Sequence, residues 1–209
     1  MEDITLNITG DGLKDALDRL NEIKGGAEPA LMRALNSAGF SLRSIAVKEV
    51  VKTFNVSLEF VKLNMSKAKP GRLSVTVGRR GKKWLAKWFP HDPNTMPRQR
   101  GGKAVFLRPR RDGTGSRYLD EHHPEGAEHP VGKAFMAHGP RTGEGIFARI
   151  GPYRERLTTP RGMSVPEMLN EPDVRSAIQR SGEYALQAAI DKEIQKLLES
   201  SRESRGEST

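Results

Sequence analysis

Residues Gly151–Leu198 read GPYRERLTTPRGMSVPEMLNEPDVRSAIQRSGEYALQAAIDKEIQKLL. The first part is a basic loop carrying Tyr153, Arg154, Arg156 and Leu157, then Ser164-Val165-Pro166-Glu167-Met168-Leu169. Pro160, Pro166 and Pro172 forbid a continuous helix before Asp173, because proline lacks the N–H and crowds the preceding turn. Beyond them Val174, Ala177, Ile178, Ala185, Leu186, Ala189, Ile190, Ile194, Leu197 and Leu198 recur at helical spacing, which predicts a long terminal helix. Asn170 is its expected N-cap. Pro172 suits the first turn, and Glu171 and Asp173 suit the positive end of the helix dipole.

Such a helix needs an apolar partner, and the segment from about Glu28 to about Lys52 supplies one. Its stripe is Leu31, Ala34, Leu35, Ala38, Leu42, Ile45, Ala46 and Val50. The alanines and Gly39 narrow that face, so the terminal helix is expected to approach it closely. At ~25 cal/mol per Å² of apolar surface, joining the two stripes is expected to be the main stabilising term.

Around this pair the elements are shorter. Ile4, Leu6 and Ile8 alternate with polar residues and predict a strand over 3–8. Leu13, Ala16, Leu17, Leu20 and Ile23 predict a first amphipathic helix, ended by Gly25-Gly26. Ser57 is expected to cap a short helix reaching Leu63, followed by strands at 64–69 and 72–78 around the turn dipeptide Pro70-Gly71. Further strands are expected at 103–108, 134–137 and 146–150. Long loops are expected at about 79–102 and 109–132. Residues 200–209 hold no apolar side chain and are expected to be disordered. The whole reads as a single α+β domain over 1–199. Its helices pack on a small, mainly antiparallel sheet.

Composition bounds the chemistry. Of 35 Lys and Arg, 16 lie between Lys62 and Arg117, against two of the 26 acids, a net of +14; the rest of the chain carries −5. This basic middle includes Arg79, Arg80, Lys82, Lys83, Arg108, Arg110 and Arg111, and would face either an acidic protein or nucleic acid. The absence of cysteine removes disulfide and thiolate chemistry. No apolar run approaches the ~20 residues of a membrane span. The acidic N-terminus does not resemble a secretory signal, so a product made in the cytoplasm is expected.

Catalytic patterns are wanting. Glu121-His122-His123, with His91, Asp92 and His129, is the one set that could hold a metal, but its spacing fits no helical ligand pair, so no metal or other cofactor is expected. A metal-dependent nuclease would need those groups on rigid elements. Gly101-Gly102-Lys103 lacks the remainder of a phosphate loop. Trp84, Trp88 and Phe89 beside the charges suit either base stacking or a buried protein interface; the mixture of aromatics and arginines favours the interface.

The order of elements resembles the phage minor tail protein Z family, the tail completion proteins. The residues that carry the resemblance are Arg149-Ile150-Gly151, Arg154 to Leu157, Ser164 to Leu169 and the final helix, together with NVSLEFVKLNM (55–65) between the long helix and a basic hairpin. The resemblance covers most of the chain. It implies a virion protein, not an enzyme, that completes the head-proximal end of a tail and takes part in head–tail joining. It further implies a homo-oligomeric ring, six-fold like the tail tube, around the DNA channel. Its partners would be the tail tube or terminator, neck or connector proteins, and the DNA in the channel. Subunit or partner contacts are then expected at Arg154, Arg156, Leu157, Val165, Met168, Leu169, Trp84, Trp88 and Phe89. The alternative from another class is a DNA-binding or nuclease protein acting through residues 62–117.

Overall fold

The computed structural model describes residues 4–6, 27–79, 81–92, 105–114, 117–118, 134–139, 143–149 and 157–204. The architecture is α+β, with long helices and small antiparallel sheets. Among the described residues, three three-stranded sheets take the place of the single sheet expected. The single domain expected over 1–199 consists of two compact units. One comprises Met1–Glu49, Lys62–Arg80 and Leu169–Thr209, and the other Val50–Val61 and Gly81–Met168.

The first unit is built on two helices. Helix α1, Ala27–Thr53, buries Leu31, Ala34, Leu35, Ala38, Leu42 and Ala46 along the predicted stripe. Helix α3, Pro172–Ser204, buries Val174, Ile178, Ala189 and Ile190. Ala34 and Ala38 pack with Ala189 and Ile190, flanked by Leu186 and Ile194, so the expected pairing of the two stripes is present. One buried carboxylate joins them: Glu193, its side chain 9% exposed, accepts from Arg33 Nε at 2.7 Å and from Lys196 Nζ at 2.6 Å.

Strands β1 (Ile4–Leu6), β2 (Asn64–Ser66) and β3 (Val75–Gly78) form a sheet in the order β1-β3-β2. Val75 and Val77 of the central strand are buried. Gly39 serves this sheet and not the helix pair, a correction to the sequence expectation. A Cβ at that position would lie 2.5 Å from Val75 Cγ1 and 3.0 Å from Met65 Sδ. The link from β2 to β3 turns at Pro70-Gly71 as expected. Gly71 has φ +74°, a conformation glycine tolerates without strain. The Glu28 carboxylate accepts the Gly71 N–H at 3.0 Å, and Asn36 Oδ1 accepts that of Ala68 at 2.8 Å, which ties the turn to α1.

The start of α3 also differs from expectation. Asn170 ends a separate short helix, α2 (Val165–Asn170), and the Glu171 carbonyl takes the Arg175 N–H at 2.8 Å to open α3. Pro166 is tolerated in α2 because it lies in the first turn, where N–H groups have no intrahelical partner. At the other end α3 runs to Ser204, past the point where composition pointed to disorder, since propagation continues until a breaker and the next glycine is Gly206. The helix expected at 13–23 and the last residues, 205–209, lie outside the described residues.

In the second unit, β4 (His91–Asp92), β5 (Phe106–Leu107) and β6 (Arg117–Tyr118) form one sheet in that order. Strands β7 (Phe135–Gly139), β8 (Gly143–Arg149) and β9 (Leu157–Thr158) form another. Central strand β8 buries Ile146, Phe147 and Ala148 in succession, so both of its faces are covered. Leu58–Phe60 and Ala86–Trp88 are single 3-10 turns. Ser57 precedes the first without a side-chain cap; its hydroxyl bonds Glu59 instead. Among the described residues no helix is long and apolar enough to cross a membrane.

Candidate interaction surface

The segment 82–90, read as loop from its composition, is ordered by pairing far along the chain. Gly162 N–H donates to the Trp84 carbonyl at 2.8 Å, Ala86 N–H to that of Pro160 at 2.9 Å, and Trp84 N–H to that of Met163 at 3.3 Å. Leu85 bridges Arg161. Phe89 is buried against Gly162, where a Cβ would collide with its ring. A second device steadies residues 164–168. Ser164 Oγ accepts the Glu167 N–H at 3.3 Å, and the Glu167 carboxylate accepts the Ser164 N–H at 2.7 Å, a reciprocal capping box. Partial burial pushes the Glu167 carboxyl up, but the Ser164 N–H and the Lys83 ammonium at 3.2 Å outweigh it and hold the group below its ordinary range.

On this frame sits an exposed aromatic cluster. Phe60 lies 5.4 Å from Trp88 and 6.0 Å from Trp84, centroid to centroid, and Trp84 lies 6.2 Å from Phe89. Trp88 is 52% exposed, Phe60 42% and Leu58, in the same turn as Phe60, 61%. The Lys87 ammonium stands 5.4 Å from the Trp88 ring centre. Sequence reasoning found the tryptophans and missed Phe60 and Leu58. Nothing in their local spacing announces a partner 24 or 28 residues away.

The expected contact residues therefore divide. Trp88 and Leu157 are exposed, Leu157 on β9, and Trp84 is half-buried. Phe89, Val165, Met168 and Leu169 are buried within the chain, each at 2% exposure or less. They do not offer a contact face, since burying an apolar side chain internally removes it from the surface. Arg154, Arg156 and Arg80 lie outside the described residues.

The basic residues divide as well. Arg111 caps the end of α1: its Nε donates to the Val51 carbonyl at 2.8 Å and its N–H to that of Thr53 at 3.0 Å. A cation there also suits the negative end of the helix dipole. Arg110 stands over the Phe54 ring, 5.5 Å from its centre, and meets Asp112 at 3.5 Å. Asn55 donates from Nδ2 to the carbonyls of Arg108 and Arg110. The Thr114 hydroxyl and N–H, followed by Arg110, lower the Asp112 carboxyl below its ordinary range. Arg108 is exposed and stands over Phe106, and a cleft of about 550 Å³ opens between Asn55, Pro90, Phe106 and Arg108. Lys82 and Lys83 are exposed, and Arg79 is half-buried.

Glu121, His122, His123 and His129 lie outside the described residues. Among the described residues no three His, Asp or Glu side chains gather as metal ligands would. No family model matches the chain, and no match was found among curated proteins or solved structures.

Proposed function

We propose that the chain is a structural subunit of a phage tail, acting in the virion to complete the head-proximal end and join it to the head. In this role it forms a homo-oligomeric ring, six-fold like the tube it meets, around the DNA channel. The observation that carries the proposal is the aromatic surface of Phe60, Trp84 and Trp88, with Phe60 and Trp88 exposed and Trp84 half-buried on a frame fixed by hydrogen bonds. Exposed aromatic clusters on ordered backbone are what protein interfaces select. Further support comes from the order of elements on which the resemblance rests. A long helix, a short turn at 58–60, a basic hairpin and a long final helix follow one another in that order. Neighbours in a ring make heterologous contacts, so one patch of each subunit must meet a different patch of the next.

The test is the mass of the purified chain in solution by light scattering, with and without isolated tails. A hexamer, or binding to tails at fixed stoichiometry, is the expected result. A monomer that ignores tails and binds duplex DNA with a steep salt dependence would instead establish the DNA-binding alternative, through exposed cations such as Lys82 and Arg108.

A further inference from the structure

We infer that the surface around Phe60, Trp84 and Trp88 receives an acidic protein segment carrying an apolar anchor, and not a nucleic acid strand. This deepens the contact role proposed above by naming the chemistry of the partner.

The rings themselves set the first condition. The angles between ring planes are 68°, 47° and 41°, none near parallel. A base needs a flat, open ring face to stack on. Trp88 already has Phe60 tilted against it and an ammonium over its ring. Leu58 is exposed in the same turn as Phe60, and this mixed aliphatic and aromatic surface fits a leucine or phenylalanine side chain better than a base.

The rim sets the second condition. Lys82 and Lys83 precede Trp84, Lys87 stands at Trp88, and Arg161 bridges Leu85. Glu59 and Glu167 are the acids among the residues named with this cluster, and Glu167 is joined to Lys83. The rim is thus net positive around an apolar centre, and a complementary segment places carboxylates on either side of its anchor.

Trp84 and Trp88 are the only tryptophans in the chain, so intrinsic emission reports on this surface alone. The full chain is titrated with a short peptide of glutamates flanking a central Leu-Phe pair, with its lysine counterpart, and with a thymidine oligonucleotide. The glutamate peptide should shift the emission and the other two should not. Lys82→Glu should weaken the peptide several-fold, more at low salt than at high. Trp88→Ala, at an exposed position that leaves the core intact, should weaken it about tenfold or more, still reported by Trp84. An oligonucleotide that binds as tightly as the glutamate peptide, a Lys82→Glu variant that binds normally, or no emission change at millimolar peptide would each overturn the inference. Tails are absent from this titration. Peptide binding by a chain that ignores tails in light scattering would keep the contact chemistry and remove the tail assignment, and the reverse pair of results would do the opposite.

Discussion

Glu193 offers the sharpest test of how the two long helices are held. Its carboxylate is 9% exposed, whereas the side chains of Arg33 and Lys196 are 52% and 56% exposed. Removing the carboxylate returns two cations to water at little cost, while removing both cations leaves a carboxylate largely out of water without a charged partner. Glu193→Gln keeps the shape and loses two charge-assisted hydrogen bonds, for about 1–2 kcal/mol. Arg33→Ala or Lys196→Ala alone leaves one partner and should cost about 1 kcal/mol each. The double variant should exceed their sum, reaching about 3–5 kcal/mol as the last partner of the charge is removed. Burial raises the Glu193 carboxyl, but Lys196 and then Arg33 pull it below its ordinary 4.5. A group lowered in the folded state stabilises at pH above its unfolded value, and that contribution fades as pH falls below about 4.5 through the lower folded value. Urea unfolding of the parent and the four variants between pH 7 and pH 3 reads both effects. A double variant no worse than the sum of the singles, or a Glu193→Gln protein with the parent's full acid sensitivity, would refute the account.

Two further substitutions test the frame. Gly39→Ala would raise helix propensity by about 1 kcal/mol at an open site; here the new Cβ meets Val75 Cγ1 at 2.5 Å, so the sign reverses to a loss of about 1–3 kcal/mol in urea unfolding. Ser164→Ala removes the acceptor for the Glu167 N–H and should cost about 0.5–2 kcal/mol, with Ser164→Thr or Asp largely restoring it, as measured by thermal unfolding.

How much of this was legible follows from where the information lies. The faces of α1 and α3 were readable because a 3.6-residue period repeated over many turns needs no knowledge of the rest of the chain. The Pro70-Gly71 turn was readable because proline fixes one dihedral and glycine permits the next. The two-residue strands β4, β5, β6 and β9 carry no period at all. They exist because His91 meets Leu107 and Phe106 meets Tyr118, choices made far along the chain. Phe60 joined the aromatic surface for the same reason. The capping box was different: Ser164 and Glu167 stand at the S-x-x-E spacing, and the prolines on either side hid a signal already present in the letters.

The basic stretch shows why counting charge overstates the surface open to a polyanion. Guanidinium is planar and weakly hydrated, so it stacks on rings and donates to carbonyls within a fold. Arg111 closes the end of α1 and Arg110 covers Phe54, so two arginines counted toward the net charge serve the fold, while Arg108 stays exposed over Phe106. Ammonium is more strongly hydrated, and Lys82 and Lys83 stay exposed, while Lys87 stands over the Trp88 ring. Part of the positive charge over 105–114 is thereby engaged within the fold. A duplex tracking a basic groove would want the opposite, an even run of solvated cations along one face. A protein segment that buries one apolar anchor between a few carboxylates wants the distribution found here: a small apolar centre with lysines beside it.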